Sequence, residues 1–219
     1  MHLYPWWFNY TFDNAVRRLF HRPVSMLAPH VREGMTTLDI GCGMGFFSLG
    51  MAKLVGESGR VIAVDVRPRV LDVLMRRAER QGVADRIRAH RCTPNSLGVE
   101  ETVDFVLAFW MVHEVPDKAV VARQVRACLR PGGRCLLAEP KLHVSRPRFQ
   151  EIVSVFEDAG LRPVGMPAVR LSMAALFEAG AQDEVEGEGR LVQEYYTPRG
   201  MAPHMFRCVP VGGSGVFGR

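Results

Sequence analysis

Long apolar runs are missing from this 219-residue sequence. None nears the roughly 20 residues that a membrane-crossing helix needs, so no membrane span is expected. Cysteine is sparse: Cys42, Cys92, Cys128, Cys135 and Cys208 stand at irregular intervals, with no CxxC and no Cys/His cluster at zinc-finger spacing. That argues against a disulfide framework and a structural metal, and it suits a reducing compartment. No block of like charge occurs; the excess of +5 is spread along the chain, which permits contact with anions without demanding it. Internal repeats are also absent. The opening stretch "MHLYPWWFNYTFDNAVRRLFHRP" has no basic start followed by a clean apolar core. It does not read as a signal peptide, and the cytoplasm is the expected compartment.

What is present is enough apolar material for a full core: 47% of the residues are hydrophobic. "MTTLDI", "RVIAVDV", "RIRAHRC", "DFVLAFWMV" and "RCLLAEP" read as buried strands. Between them "FFSLGMAKLVG", "RVLDVLMRRAERQG" and "DKAVVARQVRACLRPGG" read as helices, each closed by glycine, and "RPRFQEIVSVFEDAG" is a further helix. "LRPVGM" and "VRLSMAALFEA" are the last strands, although the alanines and leucines of the second suit a helix equally well. Alternating strands and helices predict an α/β, doubly wound, mostly parallel sheet with helices on both faces and a ligand at the carboxyl ends of the strands. Three parts are expected: an aromatic, helical lid segment over 1–30, a main domain over 31–178, and a poorly ordered tail over 179–219.

The informative stretch is "LDIGCGMGFFSLG", residues 38–50. Its glycines, Gly41, Gly43 and Gly45, follow a GxGxG spacing, and Phe46 stands where the dinucleotide fingerprint GxGxxG has its third glycine. Asp39 lies two residues before the first glycine; a carboxylate there repels a pyrophosphate and suits a cationic amine. Asp65 ends the second strand 20 residues past Gly45, where an acid accepts hydrogen bonds from ribose hydroxyls. The implied ligand carries ribose, lacks pyrophosphate and is positively charged, and S-adenosyl-L-methionine meets all three conditions.

With "RVIAVDV", "DFVLAFWMVHEV" and "LRPGGRCLLAEP", this loop resembles the successive motifs of class I S-adenosylmethionine-dependent methyltransferases, in particular small bacterial, UbiE-like ones, over residues 30–178. The resemblance implies a seven-stranded Rossmann-like fold whose last strand is antiparallel, which favours strand for "VRLSMAALFEA". It also implies that Asp39 and the GCG loop (Gly41, Cys42, Gly43, with Gly45) hold the methionine part of the cofactor. Asp65 takes the ribose hydroxyls, Val66 lies beside the adenine, and the main chain at Ala108 approaches the methionine amine. Relatives often place an acid after the third strand to meet the adenine amino group; here Cys92 and Thr93 stand there, and Thr93 or a backbone group serves instead.

Methyl transfer is an in-line displacement at a carbon activated by the sulfonium, so alignment and water exclusion are the main tasks, and no metal is needed. For a hydroxyl acceptor the candidate general base is His113 in "MVHEVPD"; fixing the shape of its loop is the other role open to it. Glu114 either orients His113 or faces solvent. Glu139 is expected to cap or to pair with Lys141, with substrate binding as the alternative. Tyr4, Trp6, Trp7, Phe8, Tyr10 and Phe12 are either an apolar substrate lid or ordinary core. The expected partner is a small-molecule methyl acceptor, apolar or aromatic. Nucleic acid is disfavoured, because neither NPPY nor DPPY occurs and no aromatics interleave with the basic residues. A non-catalytic S-adenosylmethionine-binding sensor or assembly protein is the alternative, and a nicotinamide-dependent oxidoreductase is a third reading.

Overall fold

The computed structural model describes residues 21–180. The aromatic cluster between Tyr4 and Phe12 and nearly all of the expected C-terminal tail lie outside the described residues. Seven strands form one sheet: β1 (Thr36–Ile40), β2 (Arg60–Asp65), β3 (Ile87–Arg91), β4 (Val103–Phe109), β5 (Leu129–Pro140), β6 (Leu161–Gly165) and β7 (Ser172–Ala179). Among the described residues five α-helices accompany them: α1 (Pro23–Leu27), α2 (Ser48–Leu54), α3 (Pro68–Arg80), α4 (Lys118–Cys128) and α5 (Arg146–Asp158). The strand order is β3-β2-β1-β4-β5-β7-β6. All neighbours are parallel except β7, which runs antiparallel to both β5 and β6. The expected α/β, mostly parallel, seven-stranded sheet is therefore present.

Strand alternation distributes the core. Leu38 and Ile40 of β1, Ile62 and Val64 of β2, Val106 and Ala108 of β4, and Cys135 and Leu137 of β5 share one cluster with α4 and α5. The intervening residues Val61, Ala63, Phe105, Leu107, Leu136 and Ala138 share the other with α1, α2 and α3. Asp39 and Asp65 fall in the second register, and Glu139 falls in the first. The chain winds outward in both directions from β1 and β4, which are hydrogen-bonded neighbours. Their carboxyl ends form the topological switch point, the place where open α/β sheets bind ligands.

Local chemistry sets the helix ends. Pro68 occupies the first turn of α3, where a missing N–H costs nothing, and Val70, Leu71, Val73, Leu74 and Ala78 give that helix its buried stripe. Asp117 caps α4 by accepting from the Val120 N–H at 3.1 Å, and Ser145 caps α5 by accepting from Arg148 N–H at 3.4 Å. The α4 helix is shorter than its sequence pattern predicts: it stops at Cys128, because Leu129 pairs with Val103 of β4 before the Pro-Gly-Gly turn. "SMAALFEA" is a strand throughout, with Phe177 opposite Cys135 and Glu178 opposite Arg134.

Candidate active site

The turn leaving β1 is tied to β2: the N–H groups of Gly41 and Cys42 both donate to the Val64 carbonyl, at 2.9 and 3.0 Å. Gly43 and Gly45 show why this loop is written in glycine. Both have positive φ, +54° and +85°, a region L side chains rarely enter. A Cβ on Gly45 would sit 2.8 Å from Leu74 Cγ, so Gly45 is where the loop presses on α3. A Cβ on Gly43 would meet nothing within 4 Å, so Gly43 presents bare backbone to open space at the crest of the sheet.

Around this loop stand the two acids of the first two strands. Asp39 is buried, and its Oδ2 accepts from the Ser48 hydroxyl at 2.5 Å, which fixes the carboxylate against the start of α2. Asp65 is also buried. Its Oδ2 accepts from Gly43 N–H at 3.0 Å, and its Oδ1 accepts from Arg67 N–H at 3.0 Å. The Arg67 guanidinium adds Nε to Oδ1 at 3.0 Å and Nη2 to Oδ2 at 3.2 Å. Cys42 is packed beneath the same loop; burial, then the charges of Asp39 and Asp65, push its thiol well above the ordinary range. Cys92 is pushed up to about 11 by burial and by Asp65. Both thiols are therefore protonated at neutral pH and behave as small apolar groups.

The remaining sequence candidates sit at different distances from this centre. Ala108 is buried and paired with Ile40, next to the loop. Val66 is half-buried and directly follows Asp65. The Cys92 N–H donates to the Asp65 carbonyl at 3.2 Å, and Thr93, one residue farther, is exposed and folded back on Ser96. Among the described residues no group of three or more His, Cys, Asp or Glu side chains could hold a metal ion.

A second constellation lies on the other layer. After β4 the chain makes a short 3₁₀ turn, Val112–Glu114, which brings His113 to the end of β5. There Nδ1 pairs with Oε2 of Glu139, and the His113 backbone N–H donates to Oε1 of the same carboxylate at 3.2 Å. Glu139 is 0% exposed. Its partner is thus His113, 26 residues away, and not Lys141. Glu114 is more than half exposed, with its Oε1 3.8 Å from His113 Nε2. A neutral imidazole that donates from Nδ1 to a buried carboxylate keeps Nε2 as its acceptor, so the pairing assigns the tautomer.

At the carboxyl end of β4 an aromatic cluster packs in the layer of α1–α3. Phe109 ends β4, with Phe47 centred 4.4 Å from it and Trp110 5.3 Å from it, and His21 meets both Phe109 and Trp110 edge-on. Trp110 has φ +59°, a costly geometry for a bulky residue. It is held there by its N–H to the Ala138 carbonyl and by Nε1–H to the Ser172 hydroxyl, both at 2.8 Å. A separate groove of about 510 Å³ lies along α1, α2 and α3 and is lined by His21, Phe46, Leu49, Lys53, Arg77 and Gln81. It shares no residue with the His113–Glu139 pair.

Sequence reasoning misses Ser48, Arg67, Trp110 and Ser172, and it gives Glu139 the wrong partner. Arg67 alone had a local signal, since it stands two residues after Asp65. Trp110 and Ser172 meet only through the sheet, and Ser48 meets Asp39 only because the glycine loop folds back.

Comparison with known proteins places this geometry. The family described as a methyltransferase domain matches residues 31–178. A ubiquinone/menaquinone biosynthesis C-methyltransferase, UbiE, of Cellvibrio japonicus is 33% identical over 155 residues, covering 70% of this chain and 60% of that protein. A ubiquinone biosynthesis O-methyltransferase of Methylocella silvestris is 37% identical over 111 residues, covering 51% of this chain and 42% of that protein. The chain therefore spans less than two thirds of the length of these curated relatives. Among solved structures, a SAM-dependent methyltransferase from Aquifex aeolicus superposes with a TM-score of 0.73 at 22% identity, covering 80% of this chain and 99% of that one.

Proposed function

Since the chain belongs to the methyltransferase domain family of S-adenosylmethionine-dependent enzymes, we propose that it methylates a small aromatic metabolite of the phenol or quinol class. His113 serves as general base. The observation that carries this reading is the His113–Glu139 pair at the carboxyl ends of β4 and β5, its carboxylate fully buried. The names of two relatives, a C- and an O-methyltransferase of quinone biosynthesis, agree with an aromatic acceptor.

The loop suits the cofactor. Gly43 turns bare backbone toward open space, which leaves room for a ligand to lie against the main chain. Asp39, held by Ser48, supplies negative charge for a cationic amine, and Asp65 supplies acceptors for ribose hydroxyls. Gly41, Cys42, Gly45, Val66 and Ala108 complete the surroundings, with Thr93 at the outer rim. S-adenosylmethionine, when bound, supplies a methyl group activated by its sulfonium. The protein's own contribution is to position the acceptor and to remove a proton from it.

For that task His113 is well prepared. Donation from Nδ1 to Glu139 leaves the Nε2 lone pair as the basic site, 18% of the side chain remaining accessible. As Nε2 takes up a proton from the acceptor, the buried Glu139 carboxylate compensates the new positive charge, which is the orienting role of the acid in acid–base pairs generally. Arg148, whose Nη2 donates to the His113 carbonyl at 3.5 Å, tethers the same turn from α5. Glu139 is thus a positioning residue, and His113 the one that touches the acceptor.

The test is an S-adenosylhomocysteine-release assay over a panel of catechols, quinols and simple phenols, run beside calorimetry with the cofactor. The expected result is turnover on at least one ring acceptor, lost in His113→Ala while cofactor affinity is kept. Full turnover in His113→Ala removes the base role. Cofactor binding without transfer to the panel or to any component of a cell extract favours the non-catalytic reading instead.

A further inference from the structure

A carboxylate offers about four acceptor positions, and on Asp65 four donors fill them: the N–H groups of Arg67 and Gly43, and Nε and Nη2 of Arg67. The side chain is 2% exposed, against 25% for Arg67. A ribose can therefore reach this acid only by replacing a donor. The two backbone N–H groups belong to the loop and to the start of α3 and cannot leave without unfolding their turns. The two guanidinium bonds can, because a rotation of the Arg67 side chain releases both.

We propose that Arg67 is a latch on the ribose subsite: its guanidinium holds the two Asp65 oxygens that the ribose hydroxyls require, and cofactor binding exchanges one pair of donors for the other. The inference rests on the reading of Asp65 as the ribose acceptor. The exchange conserves the number of hydrogen bonds on Asp65, two N–H donors leaving and two O–H donors arriving. It does not leave the guanidinium without a counterion. Burial works to lower the Arg67 pKa, and is outweighed by the hydrogen bonds and charge of Asp65, with the charge of Glu114 acting in the same direction. Glu114, more than half exposed on the turn after β4, is thus a second anion already acting on Arg67 from across the switch point.

Titration calorimetry separates the possibilities, with S-adenosylmethionine, a cation, and S-adenosylhomocysteine, its uncharged sulfide, as probes. Removing a competing, partly exposed ion pair in Arg67→Ala is expected to tighten both ligands by roughly five- to tenfold. Arg67→Lys keeps the charge and loses the fork, and is expected to give part of that gain. In an Asp65→Asn background, itself weaker for both ligands, Arg67→Ala is expected to change affinity by less than about twofold. Thermal melts of each variant establish that the fold is kept, and Arg67→Lys preserves the test if Arg67→Ala does not fold. Unchanged or weaker binding in both Arg67 variants, with Asp65→Asn weakened, overturns the latch and leaves the ribose role standing. A gain confined to S-adenosylmethionine identifies simple charge repulsion and also overturns it. Parent-like binding by Asp65→Asn removes the ribose reading, and the latch with it.

Discussion

Two alanine substitutions in one loop should fail in opposite ways. Gly43 and Gly45 are separated by one residue and share a left-handed backbone, at φ +54° and +85°. Placing an L residue in that region costs about 1–2 kcal/mol at either position. For Gly43→Ala that is the whole structural cost, because the added methyl meets nothing within 4 Å. For a chain of this length the midpoint should fall by about 2–8 °C. In Gly45→Ala the methyl arrives 2.8 Å from Cγ and 2.9 Å from Cδ1 of Leu74, which is 0% exposed and has no room to retreat. Overpacking adds about 1–3 kcal/mol, so the midpoint should fall by about 4–20 °C. Affinity reverses the order. The methyl on Gly43 projects into the space proposed for the cofactor, and Gly43→Ala should bind S-adenosylhomocysteine at least about tenfold more weakly, the equivalent of one displaced contact of about 1.4 kcal/mol. Scanning calorimetry and isothermal titration on both variants read the two quantities. Gly43→Ala that binds like the parent refutes the assignment of that open face to the cofactor. Equal midpoints for the two variants refute the steric account of Gly45.

Other outcomes can be checked alongside. Glu139→Gln should lower kcat by about 10- to 100-fold, with little change in the KM for the cofactor, since His113 loses the anion that orients it; an unchanged kcat argues for a purely structural pair. Ser172→Ala removes the oxygen that receives the Trp110 indole N–H and should destabilise the fold by about 1 kcal/mol in urea titration; a neutral result means that the remaining contacts suffice to hold the strained Trp110. Burial holds Cys92 and Cys128 at about 11, against an ordinary thiol value near 9. Such raised values contribute stability that is complete below about pH 9 and is lost as pH rises toward 11, because the unfolded thiols ionise first. Denaturant midpoints should therefore decline across that window, less steeply in Cys128→Ala, and a parallel decline in both proteins rejects the thiol contribution.

Most of the sheet is legible because alternation and glycine stops are local properties. "VIAVDV" and "DFVLAF" are buried on both faces as their unbroken apolar runs predict. Legibility fails where a residue's partner is distant. The α4 pattern runs on through Leu129 and Arg130, and only the pairing of Leu129 with Val103 ends the helix at Cys128. The alanines of "SMAALFEA" fit two periodicities, and the β5 neighbour decides between them. Glu139 has Lys141 two residues away in sequence, yet the end of β5 and the turn after β4 deliver His113. Asp39, Asp65 and the glycines gather as their spacing suggests because β1 and β2 pair directly.

The two registers of the sheet have an evolutionary corollary. Asp39 and Asp65 are rooted in the packing of α1–α3, whereas the Glu139–His113 pair is rooted in that of α4 and α5. The two acids proposed for the donor and the pair proposed as base are consequently underwritten by different sets of neighbours. Drift among the residues behind one can remodel it without loosening the other, so a lineage built on this plan is free to trade one methyl recipient for another while keeping the same source of methyl groups.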